Sequence, residues 1–151
     1  NAMAAILLVA HAPLATSLLA VARHVYPERS AGLAATDVDA AADLGEAQQQ
    51  IRAALEGLAD AEVLILVDVF GASPCKAALE VADGVRIRVV AGVNVPMLWR
   101  ALCYSEVPLE ELVTRAVDGG AQGVMQLGVP RPQNQASPPS NHDQVQHQHQ
   151  Q

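Results

Sequence analysis

The sequence predicts an α/β fold: an open, mainly parallel, doubly wound sheet with helices on both faces and a short C-terminal strand. Two observations predict it. The short continuous apolar run 4–10, and the stretch 62–68 with five apolar residues between Glu62 and Asp68, have the pattern of strands buried on both faces. Segments of helical period follow them in turn, and such alternation of strand and helix wraps helices around a parallel sheet. A chain of 151 residues, 51% of them apolar, can bury one core of this kind and is not a disordered polypeptide.

Residues 4–10 form the first strand, and Pro13 suits the first turn of the helix that follows, carried by Leu14, Leu18, Val21 and Val25. The stretch 32–38 is weakly patterned, a poor strand at best. Leu44, Ala47, Ile51, Leu55 and Leu58 then mark an amphipathic helix. The run 62–68 is the strongest strand signal. Ser73-Pro74 reads as an N-cap with proline at the first helical position, opening a helix over 75–82 that stops at Gly84. Residues 85–90 alternate as a strand with one wetter face. Asn94, a turn or capping residue, opens a helix to about Cys103 with Trp99 as a packing residue; a last helix over 108–117 is expected to stop at Gly119-Gly120. The apolar piece 123–128 closes the domain.

Several function classes drop out. The net charge is -7 with no basic cluster, which argues against nucleic acid as a partner. No apolar run reaches the ~20 residues of a membrane-spanning helix, and no leader precedes the first strand, so the cytoplasm is the expected compartment. Cys75 and Cys103 form no CxxC and are expected to pack as small hydrophobes. Asn1-Ala2 reads as a tag remnant before Met3. Residues 129–151, crowded with Gln, Pro and His and nearly without aliphatics, read as a disordered tail whose His147 and His149 make a poor metal site.

In open α/β sheets the chemistry stands at the carboxyl ends of the strands. There the first strand presents His11 and the third Asp68. If those strands are neighbours, the carboxylate fixes the imidazole tautomer and leaves the other ring nitrogen as a nucleophile. Ser73 and the N–H groups at 73–76 would cradle an anion such as phosphate, although Ser73 reads equally well as a plain cap. Asp68, too, could simply cap the turn after it. His24 suits a helix C-terminus without further function. Phosphate loops, dinucleotide turns, HExxH and GxSxG elbows are absent from the sequence. A nucleophilic imidazole beside a phosphate-sized anion site suggests a phosphohistidine, although a lone histidine after a strand also reads as a satisfied loop residue.

Three stretches, Leu7-Leu-Val-Ala-His11, Leu66-Val-Asp-Val-Phe-Gly-Ala-Ser-Pro74 and Ala91-Gly-Val-Asn-Val-Pro-Met-Leu98, carry a resemblance to the mannose-type enzyme IIA domain of the bacterial sugar phosphotransferase system. It covers residues 3–128. The resemblance implies that His11 accepts a phosphoryl group from the histidine phosphocarrier protein and hands it to a IIB partner. It also implies that Asp68 orients and charge-balances the ring, and that Ser73 lies beside the phosphoryl group. A homodimer formed by exchange of a C-terminal strand, here 123–127, is implied as well, with no metal, nucleotide or other cofactor. This chain departs from the pattern in having Ala12-Pro13 after the histidine where the family has glycine, Ala72 in the Gly-Gly-Ser/Thr-Pro turn, and Lys76 where asparagine is usual. Lys76 at a helix N-terminus is unfavourable without an anion nearby, so it either assists phosphate or partner binding or is a solvated side chain. Beside the transfer component stand two other readings: a regulator whose phosphorylation state controls a binding partner, and an unrelated small α/β hydrolase or binding protein.

Overall fold

In a computed structural model describing residues 3–58 and 61–132, four strands and five helices alternate: β1 (Ala5–His11), α1 (Leu14–Val25), β2 (Ala34–Val38), α2 (Leu44–Glu56), β3 (Val63–Val67), α3 (Ser73–Val81), β4 (Ile87–Ala91), α4 (Val95–Cys103) and α5 (Leu109–Gln122). All strand pairs are parallel, in the order β2-β1-β3-β4. Asn1, Ala2 and most of the expected tail, 133–151, lie outside the described residues.

The period of two along the strands sorts their side chains into two cores. Ile6, Leu8, Leu64, Leu66 and Val90 face α1, α4 and α5; Leu7, Val9, Val63, Ile65 and Val67 face α2 and α3. Helices therefore cover both faces, as expected of continuous apolar strands. β1 and β3 occupy the centre, and burying each of their leucines contributes roughly 2 kcal/mol.

Local chemistry explains most element boundaries. The Asp43 side chain accepts from Glu46 N–H at 2.8 Å to start α2, and Asn94 accepts from Met97 N–H at 2.9 Å to start α4. β4 begins at Ile87 rather than at 85 because the Asp83 carboxylate gathers the N–H groups of Val85, Arg86 and Ile87 into a turn at 2.8, 2.8 and 2.9 Å. Trp99 packs against the core and meets Tyr26 edge-to-face, with 5.3 Å between centroids. His24 sits with Arg23 in the last turn of α1, the negative end of the dipole.

Other expectations need correcting. Pro13 stands at the cap position before α1 instead of inside its first turn. The α1 face on the core is Ala15, Leu18 and Ala22, whereas Leu14, Val21 and Val25 are exposed; small alanines let the helix sit close to the sheet. Stretch 32–38 does hold a regular strand, β2, whose thinner apolar pattern reflects its place at the sheet edge. Cys75 is buried but Cys103, at the end of α4, is exposed. Helix α5 runs through Gly119-Gly120 to Gln122, because both glycines press against α4, where a stop would forfeit contact. Residues 123–128 add no strand to the sheet: after α5 the described chain pairs with none of its own edges, and ladder hydrogen bonds require a partner edge.

Candidate functional site

From the central pair β1 and β3 the chain winds outward in opposite directions, to β2 on one side and β4 on the other. The crevice at the carboxyl ends of such a pair is where open α/β sheets hold ligands. His11 is the last residue of β1, and Asp68 follows the last residue of β3. Because Val9 is in register with Val67, Asp68 stands one step behind His11, and both residues emerge at the same crevice.

There they meet. His11 Nδ1 lies 2.6 Å from Asp68 Oδ2, and the same oxygen accepts the backbone N–H of His11 at 3.0 Å. Asp68 Oδ1 accepts the N–H of Val69 at 2.9 Å, which is also the turn-capping role foreseen for it. Burial pushes the Asp68 carboxyl up, but the His11 N–H, the His11 ring and the Val69 N–H together outweigh it and hold the group below its ordinary value of 3.8. Ionised, the carboxylate is an acceptor only, so the proton of the neutral imidazole stands on Nδ1. That leaves the Nε2 lone pair unengaged, on a side chain 46% exposed above an aspartate only 11% exposed. The pair thus provides an imidazole of fixed tautomer on a rigid strand end, with a ring nitrogen that is chemically able to act as a nucleophile.

Ser73 and Lys76 lie in the first turn of α3, at the far end of the loop that begins at Asp68. Both are exposed, and neither hydrogen-bonds His11 or Asp68. The expectation that Ser73 caps α3 is overturned: Ala72 holds the cap position, Ser73 is already helical, and no side chain caps this N-terminus. Proline at the second helical position supplies no N–H, so less remains there for a cap to satisfy. In the same loop Gly71 takes φ +89°, a backbone region open to glycine and strained for other residues. Lys76 donates its backbone N–H to Ala72 O at 3.0 Å, and its exposed side chain has no ion-pair partner among the described residues.

Two features of the site escaped the sequence reading. Phe70, next but one to Asp68, is 79% exposed, with Val69 beside it also exposed. Its signal was available, as the chain's one phenylalanine in a turn. Asp37, at the end of β2, binds the first turn of α1; nothing in local sequence links it to residues so far upstream. Among the described residues no group of three His, Cys, Asp or Glu could hold a metal ion. A concavity of about 500 Å³ lined by Met3, Ile6, Arg29, Leu33 and Leu102 lies at the amino end of β1, away from His11. No described helix is long and apolar enough to cross a membrane.

Against this geometry, comparison with known proteins is consistent. Residues 5–117 match the family model described as PTS system fructose IIA component. The mannose-specific EIIAB component of Escherichia coli (strain K12) is 42% identical over 79 residues, half of this chain; the match spans 24% of that protein's length. Among solved structures, a mannose/sorbose specific IIA subunit of the phosphotransferase system from Enterococcus faecalis superposes with a TM-score of 0.79 at 25% identity, covering 87% of this chain and 99% of the other. The phosphotransferase system component EIIA from Streptococcus agalactiae shares the fold, with a TM-score of 0.72 at 19% identity over 82% of this chain and 97% of its own.

Proposed function

The chain belongs to the fructose/mannose-type IIA family of the sugar phosphotransferase system, and from that membership we propose that it is a phosphoryl carrier. His11 accepts a phosphoryl group from the histidine phosphocarrier protein and passes it to a histidine of a IIB partner, in the cytoplasm. The observation that carries this reading is the His11–Asp68 pair, with Nδ1 engaged and Nε2 open. In the forward step Nε2 attacks phosphorus, the bond from phosphorus to the donor's ring nitrogen breaks, and that nitrogen keeps the electron pair. His11 retains its Nδ1 proton, so its ring becomes positively charged, and the Asp68 carboxylate stabilises that charge. Alignment and charge stabilisation are most of what phosphoryl transfer demands.

Ser73 and Lys76 are the phosphate-side groups of this proposal. A cation in the first turn of a helix opposes the dipole until an anion arrives, and an N-terminus without a side-chain cap favours that anion. The homodimer implied by the family would use residues 123–127. Val124, Met125 and Leu127 are 76%, 64% and 73% exposed there, and β4 offers an open sheet edge.

The test is incubation with phosphoenolpyruvate, enzyme I and the phosphocarrier, followed by intact-mass and peptide mapping. One acid-labile phosphoryl group on His11 is expected; no uptake from cognate donors, or uptake elsewhere, overturns the reading. Phe70 supplies a second measurement. An aromatic ring left in water beside the nucleophile is suited to burial against the donor, and such rings contribute about 1–3 kcal/mol at interfaces. Phe70→Ala is therefore expected to raise the KM for the phosphorylated carrier about tenfold with kcat nearly unchanged. An unchanged KM would remove Phe70 from the interface.

A further inference from the structure

The first turn of α1 is capped in an unusual way. α2 and α4 are capped locally, by Asp43 and Asn94, each three residues before the N–H it accepts. α1 has Pro13 at its cap position, which offers no side-chain acceptor. Its cap comes instead from another strand: Asp37 Oδ1 accepts the N–H of Thr16 at 3.1 Å and Asp37 Oδ2 accepts the Thr16 hydroxyl at 2.5 Å. The next residue of β2, Val38, accepts the N–H of Ala12 through its carbonyl at 2.9 Å. The last two residues of β2 thus grip both ends of the turn that leaves His11, at Ala12 and at Thr16. The enclosed Pro13 has no N–H of its own to hold it. From α2, Gln50 donates to the Asp37 carbonyl at 3.3 Å, tying the grip to a third element.

This places His11 between two carboxylates with separate tasks. Asp68, on the β3 side, binds the ring and the backbone N–H of His11. Asp37, on the β2 side, binds the segment that fixes the carbonyl side of the same residue. We propose, on the reading of His11 as the phosphoryl acceptor, that Asp37 and Thr16 form a positioning clamp that holds the His11 ring in register with Asp68 for transfer. Neither residue touches the reacting atoms. Their effect is on alignment, to which group transfer is steeply sensitive: misplacement by about 1 Å can cost a hundredfold.

The clamp is tested with Thr16→Val, Thr16→Ser and Asp37→Asn. Valine keeps the β-branched shape on an exposed helix face and loses only the hydroxyl, so the variant is expected to fold. Three quantities are read: the rate of phosphoryl uptake, the ring-nitrogen NMR spectrum of His11, and the melting temperature. Thr16→Val and Asp37→Asn are each expected to slow uptake about tenfold and to show the His11 ring in both tautomers, while Thr16→Ser restores a single tautomer and the wild-type rate. A pure helix cap would lower the melting temperature with the ring spectrum unchanged and the rate within twofold, and that result overturns the clamp. If the wild-type protein takes up no phosphoryl group, the carrier reading falls and the ring spectrum alone decides: a response to Thr16→Val sustains the clamp, and no response overturns it.

Discussion

A His11→Gln variant is expected to take up no phosphoryl group, and an Asp68→Asn variant to take it up at a rate lower by roughly a hundredfold or more. The first outcome follows from loss of the ring nitrogen proposed as the nucleophile. The second follows from counting acceptors. Asp68 accepts three hydrogen bonds, two of them from His11 at Oδ2 and one from Val69 at Oδ1. An amide has one oxygen. If that oxygen keeps the Val69 contact, the NH2 group faces the His11 backbone donor and pushes the ring toward the tautomer whose proton is on Nε2, which cannot attack. If it turns toward His11, Val69 loses its partner and the ring cation formed on phosphorylation loses the carboxylate charge. Single-turnover uptake on a folded Asp68→Asn protein measures this, and a rate within a few-fold of wild type would show that Asp68 does not govern the tautomer. The substitution should also alter acid stability in a defined direction. The Asp68 carboxyl is held below its ordinary 3.8, so its contribution is complete above about pH 4 and is lost as the pH falls through the lowered value. Wild type and Asp68→Asn should therefore differ most in stability above pH 4 and converge below it, as read by denaturant melts across that range.

That pair was legible in the sequence because both partners follow runs with unmistakable strand patterns. Residues 4–10 and 63–67 are apolar without interruption, so the fold class and the emergence of His11 and Asp68 at the carboxyl ends of two strands follow from the same pattern, while the pairing of β1 with β3 is read from the structure. Asp37 was not legible for the opposite reason. β2 lies at a sheet edge, where Thr36 and Asp37 dilute the apolar signal, and the carboxylate acts on a helix start twenty-one residues upstream that only the register of β1 with β2 brings near. The Ser73 cap failed through a one-residue ambiguity: serine followed by proline fits a cap with proline first, and equally the first two helical residues, and the chain adopts the latter. The α1 stripe failed because the sheet selects small residues, Ala15 and Ala22, over the larger Leu14 and Val21 one position away.

Gly119-Gly120 is the instructive failure, since local rules make such a pair a helix stop. The α5 helix continues because tertiary packing requires both glycines inside it. A Cβ at Gly119 would stand 2.6 Å from Arg100 Cβ and 2.9 Å from Arg100 Cγ, and one at Gly123 would stand 2.3 Å from the ring of Pro96. Arg100 Cβ and the Pro96 ring are fixed to backbone and cannot swing aside, unlike the Met97 methyl group 2.8 Å from the Gly120 position. Asn94 adds a hydrogen bond across the seam, from Nδ2 to Gly120 O at 3.1 Å, while its Oδ1 caps α4. Because α4 starts at the carboxyl end of β4, a shift of α5 would move Asn94 and the loop at the crevice with it. Alanine at position 119 gains about 1 kcal/mol of helix propensity, yet forcing two helices apart costs typically 1–3 kcal/mol and more for a branched side chain. Gly119→Ala is thus expected to destabilise slightly, and Gly119→Val by about 3 kcal/mol, a fall in melting temperature of roughly 10 °C for a domain of this size. Gly32→Ala, with no atom within 4 Å of the added Cβ, is the control and should melt within a degree or two of wild type. A Gly119→Val protein that melts like the control would mean that α4 and α5 are not in the contact described, and that the helix runs through its glycines for some other reason.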